Sequence, residues 1–156
     1  MNVSEKDKWG KREQGNGRKK TMKIKKPKMP SKSYLFELLR KAIIQLWGSC
    51  VFCGNTNIDE LEDHHIIPRS RNAILKFDPD NQILVCGGKQ GKTCHKEVAT
   101  IAGKERVRKI VGEKTWNKLI TLEPKTLRQY LVEQGKTEKE WLLEKKAILI
   151  DLIENC

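Results

Sequence analysis

From Tyr34 onward, Leu35, Leu38, Leu39, Ala42, Ile43 and Leu46 recur at spacings of three and four, which places them on one face of a helix. Gly48 marks its end. Between Cys50 and His95 the period shortens, and Ile66-Ile67 and Ile83-Leu84-Val85 read as short β-type runs. Helical spacing then returns: Val98 to Val111 reads as a helix interrupted by Gly103, Glu123-Pro124 as a helix start and Gly135 as a helix stop. Thr137 and Glu140 form a capping-box pattern ahead of Trp141-Leu142-Leu143 and Ile148-Leu149-Ile150, which predicts a final helix. The expectation is an α+β chain of mostly helical content, with no internal repeat.

Composition narrows this picture. A chain of 156 residues suits one modest domain, and with 37% hydrophobic and 6% aromatic residues its core is small enough to gain from a bound metal. The formal net charge of +12 favours a polyanionic partner, either nucleic acid or an anionic membrane surface. Between Met1 and Ser33, 12 Lys and Arg face 3 Asp and Glu (+9), which leaves 20 against 17 (+3) for the remainder. The excess is thus a property of the N-terminal stretch. Residues 1–31, rich in Lys, Gly, Asn and Gln and closed by Pro27 and Pro30, read as a disordered basic arm ahead of a single domain at 32–156. Lys19, Lys20, Lys23, Lys25 and Lys26 are its candidate phosphate contacts, the plain alternative being a solubilising tail. No stretch approaches the roughly 20 apolar residues of a membrane span, and the N-terminus lacks the apolar run of a secretory signal. A membrane-surface role is therefore disfavoured and a cytoplasmic setting expected.

In that setting thiols stay reduced, so Cys50, Cys53, Cys86 and Cys94 are read as metal ligands in preference to a disulfide framework. Cys50-Val51-Phe52-Cys53-Gly54 is a Cys-x2-Cys turn whose thiolates can reach one ion while backbone amides donate to the sulfurs. Cys86 and Cys94 are separated by seven residues, three of them glycine, an unusually long spacer that still permits both sulfurs to converge. Four thiolates favour a closed structural Zn²⁺ site. Cys156 is left over.

All three histidines, His64, His65 and His95, fall in the same segment. Imidazole serves both as a ligand and as a base near neutral pH, and on a strand His64 and His65 would face opposite sides. Asp63-His64-His65-Ile66-Ile67-Pro68, then Asn81-Gln82-Ile83-Leu84-Val85-Cys86, then Cys94-His95-Lys96 resembles the HNH endonuclease motif, including its frequent placement between zinc knuckles. The resemblance covers Cys50 to about Thr100 and implies a ββα-metal core at 50–102: a β-hairpin near Leu61 to Cys86 leading into a helix from about Thr93, flanked by helices. It implies His65 as the general base, His64 and His95 as ligands of a catalytic divalent ion, and Asn81 as the residue that holds the loop and orients the base. That ion would be Mg²⁺ or Mn²⁺, although imidazole ligands also admit Zn²⁺ or Ni²⁺.

Many members of the family carry a third protein ligand a helical turn beyond the last His, where this chain has Ala99. Asp63 is a candidate spare ligand or hydrogen-bond acceptor for an imidazole, and Arg69 and Arg71 are candidates for gripping phosphates. The implied partner is DNA, duplex or branched. The wider layout also resembles phage NinG/Rap recombination proteins, and a homing-type or mobile-element nuclease fits nearly as well. The competing class is a zinc-stabilised nucleic-acid-binding module without catalysis, distinguished by having no need for His65 and Asn81 beside His64 and His95.

Overall fold

The computed structural model describes residues 28–87 and 94–155. In chain order these form α1 (Lys32–Trp47), β1 (Leu61–His65), β2 (Gln82–Cys86), α2 (Cys94–Glu97), α3 (Ile101–Val111), α4 (Glu113–Leu122), α5 (Leu127–Glu133) and α6 (Glu138–Asn155). The expected basic arm, including Lys19, Lys20, Lys23, Lys25 and Lys26, lies outside the described residues. No helix among the described residues is long and apolar enough to cross a membrane.

Helix α1 starts where the Ser31 hydroxyl accepts the Tyr34 N–H at 3.2 Å and stops at Gly48, whose positive φ of 61° lets its N–H turn back onto the Ile44 carbonyl. Leu35, Leu38, Leu39, Ala42 and Ile43 are buried as the periodicity predicts. Leu46 departs from that stripe and is exposed. The buried face packs against β2 and α6, where Trp141, Leu142 and Leu149 complete the core. Helix α6 opens on the anticipated capping box, with the Thr137 N–H donating to Glu140 at 2.8 Å and the Glu140 N–H to the Thr137 hydroxyl at 3.3 Å.

Strands β1 and β2 pair antiparallel, from Leu61 opposite Cys86 to His65 opposite Gln82. Every residue of β2 is buried, because α1 covers the strand and α2 also packs on it. The Ile83-Leu84-Val85 run is therefore a strand as predicted, but Ile66-Ile67 is not. Asn81 intercepts that segment: its carbonyl accepts the Ile66 N–H at 2.9 Å and its side-chain oxygen the Ile67 N–H at 2.7 Å. The ladder ends one residue earlier.

Three further boundaries differ from the sequence pattern. The helical run around Val98 to Val111 breaks at Thr100, not at Gly103. The Thr100 hydroxyl accepts the Gly103 N–H at 2.9 Å and starts α3, while Gly103 lies in the first turn where a Cβ would collide with the Glu97 carbonyl. Helix α4 was not anticipated, although Trp116, Leu119 and Ile120 carry its three-and-four spacing. Glu123 closes α4 through its N–H to the Leu119 carbonyl, so Glu123-Pro124 is an end and not a start; α5 begins at Leu127 behind a capping box of Thr126 and Gln129. The stop at Gly135, with φ of 61°, is as expected.

An ion cluster around the buried Asp78 ties α4 and α6 to the centre. Asp78, just ahead of β2, sits 3.1 Å from Lys118 Nζ of α4 and 3.1 Å from Lys145 Nζ of α6, and Lys118 also reaches Asp80 at 2.6 Å. Burial opposes ionisation of Asp78, but the two ammonium groups outweigh it and hold the carboxyl below its ordinary value. Its stabilising contribution is thus present above the unfolded carboxyl pKa of about 3.9 and is lost as pH falls through the lower folded value. Replacing Asp78 by Ala strands the buried Lys145 and should cost about 3 kcal/mol in urea unfolding. Asp78→Asn should flatten the acid limb of the stability curve, and an unchanged limb would remove this cluster from the account.

Candidate functional site

The Cys-x2-Cys turn follows α1 directly. The Val51 N–H donates to the Leu84 carbonyl at 2.9 Å, docking the turn on β2, and the Gly54 N–H returns to the Cys50 carbonyl at 2.8 Å from a φ of 73°. Cys86 ends β2 and Cys94 begins α2. The four sulfurs lie within 4.8 Å of one another, with Cys53 and Cys86 at 3.4 Å, and all four thiols are free. Most of the unusual spacer, residues 88–93, lies outside the described residues, yet its two ends are brought together.

The electrostatics of this cluster suit a cation. Burial resists ionisation of Cys50, but backbone amides at Cys53, Phe52 and Cys86 prevail and lower its thiol to about 7. Burial and the neighbouring sulfurs push Cys86 up and Cys94 up to about 12. Four thiols so close do not all ionise readily on their own, and a divalent ion would relieve the conflict. The donor set is compatible with a structural zinc and leaves no open position for substrate.

The histidines separate as the strand geometry requires. His64 Nδ1 lies 3.2 Å from His95 Nε2, with ring planes at 82°. Burial first, then the nearby His95 and His65, lower His64 to about 4, which keeps it in the neutral form that binds metal. His65 turns the other way and places Nε2 3.2 Å from the Lys76 carbonyl. A carbonyl only accepts, so Nε2 carries the proton and Nδ1 is left with a lone pair. Burial, with help from Arg69 and Lys76 against the pull of the Lys76 carbonyl and Asp63, lowers its pKa as well.

Asn81 is fully buried, and its amide donates to the Ile67 carbonyl at 2.9 Å and the Leu75 carbonyl at 3.2 Å while accepting from Ile67 N–H. It touches both ends of the loop that runs from His65 to Lys76. Asp63 is engaged elsewhere, by Arg40 at 3.1 Å, and Arg40 also holds the Leu61 carbonyl at 2.7 Å. Arg69 stacks over Phe36 at 5.2 Å, and Arg71 lies 3.6 Å from Glu123.

His64, His65, His95, Arg69 and Arg71 share a cleft of about 550 Å³ with Lys104, Trp116 and Ile120. Sequence reasoning missed Trp116 and Ile120 because α4 itself was missed, and Lys104, an exposed lysine of α3, carries no pattern of its own. It also missed Asn72, whose amide donates to the Leu122, Glu123 and Lys125 carbonyls at 2.7, 3.0 and 3.2 Å and whose oxygen accepts the Ile74 and Leu75 N–H groups. The Lys76 carbonyl, a backbone group, has no side-chain signature.

Residues 50–99 match the family model for HNH endonucleases. The HNH segment covers about a third of the chain and includes the four cysteines, all three histidines and Asn81, while α1 and the helices from α3 onward fall outside it. Neither the curated proteins nor the solved structures provide a match. An HNH segment points to nuclease or nucleic-acid-binding function.

Removing the Asn81 amide takes this partner from the Ile67 N–H and the Ile67 carbonyl in the interior, while the Leu75 carbonyl keeps the Asp78 N–H at 3.2 Å. Asn81→Ala should lower unfolding free energy by roughly 3 kcal/mol. A denaturant midpoint equal to that of the unaltered protein would show that the loop is held by other means.

Proposed function

We propose that the protein is a metal-dependent HNH endonuclease that hydrolyses DNA phosphodiester bonds. The observation that carries this reading is the tautomer imposed on His65: the Lys76 carbonyl takes the Nε2 proton and leaves Nδ1 free to act as a base within the cleft. His65 Nδ1 accepts a proton from the attacking water, and the imidazolium that forms keeps its Nε2–H on the Lys76 carbonyl, as an oriented base requires. Asn81 acts at a distance by holding the loop that presents this carbonyl.

His64 and His95 would hold the catalytic divalent ion, Mg²⁺ or Mn²⁺ with Zn²⁺ or Ni²⁺ also compatible with imidazole. Bound there, such an ion supplies charge neutralisation on the phosphate and its leaving oxygen. Ala99 contributes no ligand at the position where a third is common, so solvent or substrate oxygens complete the set. Asp63, occupied by Arg40, serves the frame of β1. Arg69 is the better placed of the two arginines for a phosphate contact, because Arg71 is already engaged by Glu123. Lysines of the 1–31 arm would add sequence-independent affinity for the duplex. A cytoplasmic setting, with reduced thiols at the cysteine cluster, and a part in phage or mobile-element recombination or DNA processing complete the reading.

Two experiments test it. His65→Ala should abolish metal-dependent DNA cleavage while DNA binding in an electrophoretic shift persists, since only the base is removed; cutting at the unaltered rate would refute the mechanism and leave a zinc-stabilised binding module. Separately, stripping the cysteine cluster with a strong chelator should collapse the helical circular dichroism, because the cluster joins α1, β2 and α2. Full helical signal after verified metal loss would overturn the structural zinc without touching the nuclease assignment.

A further inference from the structure

The cleft contains side chains that the hydrolytic chemistry leaves unused. Lys104 and Val107 of α3 and Trp116 and Ile120 of α4 line the same space as His64, His65 and His95. Trp116 is half-buried, Ile120 is 44% exposed, and neither the Trp116 indole N–H nor the Lys104 ammonium has a side-chain partner among the described residues. Ala99 adds a methyl group where a ligand would have made this region polar. Glu123 also lines the cleft, but its carboxylate faces Arg71 at 3.6 Å and does not stand as a bare negative charge.

Helix α4, which carries Trp116 and Ile120, is held firmly. Asn72 ties the last turn of α4 to the turn leading into Lys76, and Lys118 of α4 is bound to Asp78 and Asp80. The wall and the His65 loop therefore share one frame.

A space of about 550 Å³, open to solvent, falls within the range of small-molecule sites and is enough for a nucleotide. A phosphate at the histidines necessarily brings a flanking sugar and base with it. In a continuous duplex that base is paired and stacked on both sides, with no free face for the protein. An unpaired base has one, and an aromatic ring with aliphatic neighbours and one cation is the surface that unpaired DNA recognises.

We propose that Trp116, supported by Ile120 and Lys104, forms a subsite for an unpaired base flanking the scissile phosphate, so that the preferred substrate is DNA unpaired beside the cut. The proposal rests on the nuclease reading above. The test compares cleavage of three oligonucleotides by the full chain with Mg²⁺ or Mn²⁺: a perfect duplex, the same duplex with one unpaired base, and the single strand. The unaltered protein should cut the two unpaired substrates with higher kcat/KM than the duplex. Trp116→Leu, which keeps apolar bulk but removes the aromatic face, should lower kcat/KM on the unpaired substrates roughly tenfold to hundredfold relative to its effect on the duplex, the range that loss of one aromatic–base stack produces. Trp116→Phe should restore most of it. An unaltered protein that cuts the duplex as well as the others, or a Trp116→Leu variant that keeps the unaltered ratio between substrates, overturns the subsite alone. Failure to cut any of the three overturns the nuclease reading as well.

Discussion

A single buried amide organises the central loop. Asn81 accepts from the Ile67 N–H and donates to the Ile67 and Leu75 carbonyls, and its own carbonyl takes the Ile66 N–H. Those bonds stop β1 at His65, turn the chain away, and bring it back beside the strand it has just left. The returning segment presents the Lys76 carbonyl to His65. A buried amide is expensive unless every group is satisfied, and here each is. That demand holds the loop in the conformation that sets the Lys76 carbonyl 3.2 Å from His65 Nε2.

At the other end of the hairpin the cysteines play the corresponding part. Cys86 closes β2 opposite Leu61, and the knuckle is hydrogen-bonded to the middle of the same strand through Val51 and Leu84. The apolar core between α1, β2 and α6 is small, and the remaining order comes from polar connections. Asp78 gathers α4 and α6 through two lysines, and Asn72 fastens the end of α4. A chain with few aromatic side chains thus distributes its long-range contacts among charged and amide groups, each of which is costly to disturb.

Much of this was legible in sequence where a local rule operates alone. The α1 stripe as far as Ile43, the Gly48 and Gly135 stops and the Thr137–Glu140 box depend on neighbours within a turn, and they appear as read. The fully buried Ile83-Leu84-Val85 run was equally plain. The failures share a cause, in that a distant group overrides the local preference. Ile66 and Ile67 have strand propensity, but Asn81 captures their N–H groups; Gly103 looks like a breaker, but it is needed so that α3 can approach the Glu97 carbonyl. The convergence of the four cysteines, and of His64 with His95, was readable because ligand chemistry restricts residue type and order. The Lys76 carbonyl and the Asn72 amide were not, since a backbone acceptor and an ordinary loop asparagine leave no pattern at any fixed spacing.

The cysteine cluster and the histidine pair are chemically independent but mechanically close. Cys94 and His95 are consecutive at the start of α2, one directed to the sulfurs and the other to His64. Helix α2 is a single turn, too short to hold its own position by backbone hydrogen bonding. Its placement therefore depends on what its side chains reach: Cys94 in the cluster on one side, Val98 in the core just beyond its end. An ion among the four sulfurs would anchor the residue preceding His95 and so limit where that imidazole can go. The cysteine cluster and the histidine pair thus share one restraint, since whatever fixes Cys94 also limits the reach of His95.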